Sequence, residues 1–339
     1  MRVALADPPA FTPQYDHALA TALGEAGAAV TLLTSHFRFG ESPPAVVYAR
    51  DESFYRVSSR VFGRSRLRLP FRAAEHLASL RKLARVDADV LHVQWLAWPE
   101  MDARRRFFAP AVFTAHDVLP RRTAERLDLW RRLFAKFDRV ISHSEHGRRV
   151  LAGLDVDARV IPHPVFPADV PRADDGRTAL ALGVLRPYKG LPDAVEATRR
   201  AGARLLVAGD PLGVDVPQQP HVEARLGYLP DDEIDRALSE TTVAVFPYRP
   251  EIDQSGALLR ALGAGVPAVA YDAAGIAEPV ARYGAGLVVA AGDVQGLAEA
   301  LRTVLTDPAP FRAGAERARA ELTWAASARA HLELYGELA

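Results

Sequence analysis

The sequence of 339 residues contains no cysteine, so disulfide bonds and thiolate metal sites are excluded. It contains no uncharged apolar run of about 18 residues, the length typical of a membrane-spanning helix. Met1 leads directly into the strand-like segment RVALAD, without the charged and apolar regions of a signal peptide. From these absences we expect a cytoplasmic protein without a membrane span.

Neither sign of charge predominates, because 42 Lys and Arg are matched by 42 Asp and Glu. The two halves nevertheless differ. Residues 1–168 hold 25 basic against 18 acidic residues, a balance of +7, and the remainder holds 17 against 24, a balance of −7. This difference indicates that the two halves contact different partners. The zero net charge and the lack of a recognition motif argue against nucleic acid as one of them.

Short apolar strands alternate with amphipathic helical stretches along the whole chain. The strand candidates are RVALAD, AVTLLT, DVLHVQ, AVFTAH, RVISHS and ARVIPH, and then TALALGV, ARLLVAGD, TVAVFPY, PAVAYD and GLVVA. Strands separated by helices predict α/β domains with parallel sheets.

A segment rich in Pro and Asp, HPVFPADVPRADDGR, separates the two series of strands. We therefore predict two doubly wound, Rossmann-like domains at residues 1–166 and 179–310, joined by a linker at 167–178. Residues 311–339 have a helical pattern and are expected to cross back to the first domain. Because ligands of such sheets bind beyond the carboxyl ends of the strands, two facing domains would enclose a binding cleft.

Two cations follow the predicted strand TALALGV, at the point where a helix begins. Arg186 and Lys189 are expected at the ligand-binding edge of the second sheet. There they would hold a diphosphate and neutralise charge on a leaving phosphate, and Gly190 would let the backbone come close. The alternative is a pair of solvated side chains on a loop.

A second polar segment precedes the apolar helix in EIDQSGALLRALGAGVP. Asp253, Gln254, Ser255 and Gly256 stand at its start. A helix start of this kind offers free backbone N–H groups and the positive end of the helix dipole to a phosphate. The alternative is an ordinary cap by Asp253 or Ser255.

The second half of the chain resembles the donor-nucleotide domain of the family 4 retaining glycosyltransferases, which have the GT-B fold. The resemblance is carried over residues 178–339 by GVLRPYKG, LLVAGD, GYLPDDEI, VAVFPY, SGALLRALGAGVPAVA and AGIAEPV. The first half is similar more loosely, through GAAVTLLT, DVLHVQ, FTAHD, VISHSEHGRRVL and RVIPHPV. The resemblance implies a GT-B fold and a metal-independent hexosyltransferase.

The resemblance also implies roles for individual residues. Arg186 and Lys189 would grip the donor diphosphate and support its departure, and His116 would lie near the transferred sugar. The backbone near Tyr228 and Leu229 would contact the nucleobase. The further donor-binding candidates are Gly190, Glu251, Asp253, Gln254, Ser255 and Gly256. For His116, the alternative is a histidine satisfied by local contacts at a strand end.

The sequence departs from the family pattern at the start of the apolar helix. The family usually has two glutamates there, and the second holds the ribose, but here the two positions are Ile252 and Arg260. A guanidinium only donates hydrogen bonds, so ribose recognition is expected to differ. Glu251 or Asp253 is expected to serve the donor sugar after a shift of one residue.

A second departure lies in the loop after the first strand, ADPPAFTPQYDHALA, which lacks the paired glycines of the family. Tyr15, Asp16 and His17 stand at the following helix start and are candidates for contact with the acceptor. The alternative is a helix cap by Asp16 or Thr12.

We expect no metal ion and no cofactor beyond the donor, which would be a UDP-, GDP- or ADP-sugar. Asp87 and Asp89 form a D-x-D pattern, but they stand at the start of a strand, as in a solvated turn.

The arginine-rich segment 60–86 would rest on an anionic membrane surface or receive a phosphorylated lipid. The alternative is a solvated helix and loop.

The sequence predicts a retaining glycosyltransferase of glycan biosynthesis. It would move a sugar from a nucleotide donor to a glycan, lipid-linked or small-molecule acceptor. The departure at Arg260 leaves two alternatives open. One is a catalytically weak or inactive nucleotide-sugar-binding protein, and the other is a GT-B-type nucleotide-sugar epimerase.

Overall fold

The computed structural model describes residues 1–37, 42–61, 68–104, 106–120, 122–249 and 253–338. Within these residues the chain forms two compact units. The first comprises Met1–Pro162 and the segment from Trp324, and the second comprises His163–Thr323.

Each unit is built on one parallel sheet. The strands are β1 (Arg2–Asp7), β2 (Ala29–Ser35), β3 (Ala49–Phe54), β4 (Val90–Val93), β5 (Ala111–Thr114), β6 (Arg139–Ser142), β7 (Ala158–Val160), β8 (Thr178–Leu182), β9 (Arg204–Gly209), β10 (Val222–Leu226), β11 (Val243–Phe246), β12 (Ala268–Asp272) and β13 (Gly286–Ala290). The described strands are ordered β3-β2-β1-β4-β5-β6-β7 in the first sheet and β10-β9-β8-β11-β12-β13 in the second. Every neighbouring pair is parallel.

Helices connect most consecutive strands, although the described segment between β9 and β10 contains none. They are α1 (Pro13–Glu25), α2 (Arg56–Arg60), α3 (Arg68–Ala84), α4 (Pro99–Asp102), α5 (Leu127–Phe134), α6 (Glu145–Ala152), α7 (Leu191–Ala201), α8 (Asp231–Ser239), α9 (Gly256–Gly263), α10 (Ala277–Tyr283), α11 (Val294–Thr306), α12 (Ala309–Glu321) and α13 (Trp324–Gly336). A short 3-10 turn at Pro187–Lys189 precedes α7.

Alternate residues of a strand enter cores on opposite faces of its sheet. In β8, Leu180 and Leu182 pack into one core of the second unit, whereas Ala179 and Ala181 pack into the other. All of these side chains are buried. Since both faces of each sheet are covered, the polar groups that can meet solvent or a ligand lie at the strand ends.

The chain returns to the first unit at Trp324, later than the residue 311 expected from the sequence. The reason is that α12 packs on α9 and α10 within the second unit. Helix α13 then packs on α1. It buries Ala328, Leu334 and Tyr335 in the same core as Leu19 of α1.

Two glycines flank α7 with backbone angles in the left-handed region. The φ angle is 67° at Gly190 and 69° at Gly202. A Cβ atom on Gly190 would lie 2.0 Å from the carbonyl oxygen of Pro247, whereas nothing lies within 4 Å of one on Gly202. Gly190 therefore has a packing role against the segment after β11.

We expect Gly202→Ala to lower the free energy of unfolding by about 1 kcal/mol, from the strain of a positive φ alone. Gly190→Ala is expected to lower it by at least about 3 kcal/mol, because the new methyl group also overlaps Pro247. Urea unfolding of the two variants measures the difference. Equal losses would show that Pro247 does not constrain position 190.

Candidate functional site

The segment after β8 makes a tight turn at the carboxyl edge of the second sheet. Gly183 has a φ of 94°, and Pro187–Lys189 forms a single 3-10 turn. Proline favours the first position of such a turn, because its φ is fixed and it lacks an N–H group. Arg186 begins the turn, is exposed, and forms no ion pair with the residues that the structure describes.

Lys189 folds back over the end of β8. Its Nζ donates a 3.2 Å hydrogen bond to the carbonyl oxygen of Leu182 and lies 5.2 Å from the centre of the Tyr248 ring. A Cβ atom on Gly183 would lie 3.2 Å from this Nζ, so the glycine leaves room for the ammonium group. Within the described parts of the chain, no carboxylate pairs with Lys189. The turn therefore presents a partly buried cation that has no counter-ion among the described residues.

Ser255 caps α9, as the capping alternative predicts. Its Oγ accepts a 3.3 Å hydrogen bond from the backbone N–H of Leu258. Asp253 is also buried, and its Oδ1 accepts a 3.1 Å bond from the N–H of Gly275. Gln254 donates to the other oxygen of Asp253 at 3.3 Å. Asp253 therefore ties the start of α9 to the segment after β12.

The first turn of α9 remains accessible at Gly256. This glycine is exposed, and a Cβ atom on it would meet nothing nearer than the Phe166 ring at 4.0 Å. Packing therefore does not require a glycine here. The amides of Gly256 and Ala257 lack acceptors within the helix and lie at the positive end of its dipole, an arrangement that favours an anion.

Tyr248, which the sequence interpretation did not single out, links Lys189 to the start of α9. It is buried, and Ser255 Oγ donates a hydrogen bond to its hydroxyl at 3.3 Å. Its ring faces the Lys189 ammonium. The sequence signal that could have identified Tyr248 is its position just after the apolar strand β11. Arg186 and Lys189 follow β8 in the same way.

Arg260 is paired with carboxylates of α8. Its Nη1 lies 2.8 Å from Asp231 Oδ1, and its Nη2 lies 3.4 Å from Asp235 Oδ1. Only 18% of the Arg260 side chain is exposed. The arginine that departs from the family pattern therefore joins α8 to α9.

The predicted base-contacting residues occupy the turn after β10. Tyr228 is 56% exposed, whereas Leu229 is partly buried and packs on the core of the second unit. Gly227, with a φ of 126°, makes this turn possible. Glu251 lies outside the residues that the structure describes.

In the first unit, His116 follows β5 and is buried. Its Nε2 lies 2.8 Å from Gln94 Oε1. The Trp95 ring stacks on the imidazole at a centroid distance of 5.3 Å, and the Tyr15 ring meets it edge-on at 4.6 Å. These local contacts hold the His116 ring in place. This was the alternative to a sugar-binding role in the sequence analysis.

Asp16 shares a buried site with Asp7, which ends β1. The backbone N–H of Thr12 donates to Asp7 Oδ2 at 3.0 Å. Burial raises the pKa of both carboxyl groups, and the neighbouring Asp7 carboxylate raises that of Asp16 further. The raised pKa favours the neutral form of Asp16. His17 is partly exposed, and its Nδ1 lies 2.9 Å from the Tyr48 hydroxyl.

Among the described residues, no group of three His, Asp or Glu side chains is placed to hold a metal ion. Asp87 and Asp89 both pair with Arg2 at 3.0 Å, which accounts for the D-x-D pattern.

In the part of the chain that the structure describes, no helix is both long and apolar enough to cross a membrane. Part of the arginine-rich segment, 62–67, lies outside the described chain, and membrane contact through it stays a prediction.

Two sequence-family profiles match the chain. One, described as Glycosyltransferase Family 4, matches residues 14–168, and another, described as Glycosyl transferases group 1, matches residues 176–307. The chain belongs to the family 4 glycosyltransferases. The resemblance predicted from the sequence is confirmed, and so is the GT-B fold with its two Rossmann-like domains.

The chain is 28% identical over 268 residues to D-inositol 3-phosphate glycosyltransferase of Mycobacterium avium, covering 67% of this chain and 62% of that protein. Matches to the curated relatives span from 18% to 62% of those proteins' own lengths.

Two solved structures align with the whole chain. Sucrose-phosphate synthase from Thermosynechococcus elongatus gives a TM-score of 0.72 at 21% identity, over 100% of this chain and 99% of that one. Anabaena Alr3699/HepE in complex with UDP-glucose gives 0.67 at 15% identity, over 100% of both chains. At these identities the likeness shows the fold.

The buried Asp7 and Asp16 pair predicts a pH-dependent stability. Asp16→Asn is expected to raise the free energy of unfolding at about pH 8, because burial and the neighbouring Asp7 raise the pKa of Asp16. In the native protein a raised pKa means that stability falls as the pH rises above the ordinary aspartate value, because the unfolded chain then loses the proton more readily than the folded one. The asparagine carries no such penalty.

Urea unfolding at about pH 8 and about pH 4 measures this effect, and the gain should vanish at the lower pH. Asp89→Asn is the control, because Asp89 is paired with Arg2 and its pKa is lowered. A variant at position 16 that is less stable than the native chain at about pH 8 would contradict the raised pKa of Asp16.

Proposed function

We propose that the protein is a retaining glycosyltransferase that moves a sugar from a nucleotide diphosphate donor to a hydroxyl group of a glycan, lipid-linked or small-molecule acceptor. The observation that carries the proposal is the cation pair Arg186 and Lys189 at the carboxyl edge of β8. Within the described residues neither cation has a carboxylate partner, and Lys189 is linked through Tyr248 to the start of α9.

The pairing of other cations in the second unit supports this interpretation. Arg199, Arg225 and Arg260 each lie within 3 Å of a carboxylate oxygen. A partly buried ammonium without a counter-ion is costly unless a ligand supplies the negative charge. A diphosphate would do so, since it would meet two cations and the free amides of a helix start.

The donor we propose is a UDP-, GDP- or ADP-sugar, with its base at the turn near Tyr228 and Leu229. The solved complex of Alr3699/HepE with UDP-glucose supports a nucleotide sugar as the substrate class for this fold. Because Arg260 is held by Asp231 and Asp235, other groups would accept hydrogen bonds from the ribose. We assign no metal ion or further cofactor to the reaction.

In the proposed reaction, the bond between the sugar C1 and the diphosphate oxygen breaks while the acceptor oxygen bonds to C1 on the same face. The acceptor proton passes to the leaving phosphate. Arg186, Lys189 and the amides at the start of α9 would stabilise the charge that develops there. His116 is proposed to contact the transferred sugar. Tyr15, Asp16 and His17 remain the predicted acceptor-side residues, although Tyr15 and Asp16 are buried.

Arg186→Ala and Lys189→Ala are each expected to lower the rate of donor hydrolysis about a hundredfold or more, because each removes a cation from the leaving group. The rate is measured as free sugar released from UDP-glucose, GDP-mannose and ADP-glucose. Arg236→Ala is the matched control, since Arg236 is an exposed arginine in the last turn of α8. Unchanged rates in both test variants would refute the assignment of the cation pair.

A retaining reaction predicts the stereochemistry of the product. Proton NMR should show that the sugar first released from an α-linked donor is the α-anomer, before mutarotation. Initial release of the β-anomer would refute a same-face displacement.

Arg260 favours one alternative, a protein that binds nucleotide sugars without transferring them. Thermal shift with UDP, GDP and ADP separates the two functions when it is combined with the hydrolysis assay. A nucleotide that raises the melting temperature, without release of sugar from any of its conjugates, would support the binding protein.

A further inference from the structure

A buried chain of polar side chains runs through the first unit from α13 to His116. The Tyr335 hydroxyl lies 2.6 Å from His92 Nδ1, and Thr114 Oγ1 lies 2.7 Å from His92 Nε2. The Gln94 amide nitrogen lies 3.1 Å from His92 Nε2, and its Oε1 lies 2.8 Å from His116 Nε2. Tyr335, His92, Thr114 and Gln94 are fully buried.

We propose that Gln94 is a positioning residue that fixes a proton on Nε2 of His116, and that α13 holds Gln94 in place through Tyr335 and His92. This proposal depends on the proposed function through one assumption, which is that His116 contacts the transferred sugar. The proton position itself is a property of the protein without substrate.

The direction of the hydrogen bond follows from the chemistry of the amide. An amide oxygen only accepts, so the His116 nitrogen that faces Gln94 Oε1 must carry the proton. The opposite end of the amide faces His92. His92 has hydroxyl groups at both ring nitrogens, and a hydroxyl either donates or accepts. The hydroxyl groups can adapt, whereas the Gln94 amide nitrogen only donates to His92 Nε2 and its oxygen only accepts from His116, so Gln94 imposes one tautomer on each ring.

Burial makes this tautomer strongly preferred. If His116 lost the proton from Nε2, two acceptors would face each other in a region without solvent, and Gln94 Oε1 would lack a donor. The cost of an unsatisfied buried acceptor corresponds to a ratio of about ten or more between the two tautomers. Burial also lowers the pKa of His92 well below its usual value, so this neighbour stays neutral.

Helix α13 supports the His116 ring by a second route. Trp324, at the start of the helix, packs against Tyr15 at a centroid distance of 5.2 Å, and Tyr15 meets His116 edge-on. Trp95 covers the His116 ring by stacking, and its Nε1 donates to Thr12 Oγ1 at 2.8 Å. Helix α13 therefore contacts Tyr15, which packs on this histidine, and His92, which adjoins the Gln94 amide.

The consequence for the reaction is that His116 acts as a hydrogen-bond acceptor. A neutral imidazole with its proton on Nε2 acts as an acceptor at Nδ1. A hydroxyl group that meets Nδ1 would then donate, whereas a proton on Nδ1 would make the imidazole the donor. Gln94 thereby sets which role His116 takes toward a hydroxyl-bearing substrate.

The test combines a tautomer measurement with kinetics on the full chain. Long-range ¹H–¹⁵N NMR of protein labelled at histidine reports which ring nitrogen is protonated, and His116→Ala assigns the signals. In the native chain we expect one tautomer with the proton on Nε2. In Gln94→Leu we expect a mixture of tautomers, and a kcat for donor hydrolysis about tenfold lower with little change in KM.

Gln94→Glu keeps an acceptor of similar size but adds a negative charge. It should retain the proton on Nε2, stabilise the doubly protonated ring, and move the acidic limb of the pH–rate profile upward. The titratable rings of Tyr15 and His143 face His116, the latter at a centroid distance of 5.0 Å. Both are unchanged in this variant.

Tyr335→Phe tests the far end of the chain, and Tyr55→Phe is its matched control. Each variant removes a buried tyrosine hydroxyl that lies 2.6 Å from a histidine Nδ1, since Tyr55 lies at this distance from His76. Only Tyr335→Phe should change the His116 signals and lower kcat.

A native His116 protonated on Nδ1, or identical His116 signals in the native chain and Gln94→Leu, would overturn the proposal. If Gln94→Leu does not fold, Gln94→Glu and Tyr335→Phe still decide it. Equal effects of Tyr335→Phe and Tyr55→Phe on the His116 signals would overturn the role of α13. The NMR result does not depend on turnover, so a native chain that fails to hydrolyse any donor would refute the proposed function alone.

Discussion

Parallel strands that are covered on both faces leave only their ends for polar chemistry. In both units, alternate strand residues enter cores on opposite faces. Charged and hydrogen-bonding groups therefore collect where strands end, with Lys189 after β8, Tyr248 after β11, Asp7 at the end of β1 and His116 after β5. The position of the candidate site follows from the burial of the sheets.

The two units use this edge in different ways. In the second unit, Arg186 and Lys189 lack carboxylate partners among the described residues, which favours an anionic ligand. In the first, burial raises the pKa of Asp16, which favours its neutral form, and His116 is held by Gln94. The second unit thus offers charge, whereas the first offers oriented neutral groups. This contrast fits a charged donor on one unit and an uncharged sugar or hydroxyl group near the other.

Local patterns in the sequence predicted the fold and the cation pair, because both depend on short apolar runs and on the residues that follow them. They did not predict β3 and β10. These are edge strands with the sequences ARDESF and VEARL, whose partly exposed residues form no apolar run. The link between Tyr335 and His92 joins residues 243 positions apart, and the pairing of Arg260 with Asp231 crosses two helices. Contacts of this kind depend on packing, which no single segment encodes.

The place of α13 in the first unit has a consequence for how the protein is made. Domains usually fold in the order in which they leave the ribosome. Here the core that contains Leu19 also includes Leu334 and Tyr335, so this unit stays incomplete until those two residues have been synthesised. The second unit, His163–Thr323, is synthesised in full before that moment. The nascent chain must therefore keep an apolar face of its first unit from aggregating while the later unit emerges.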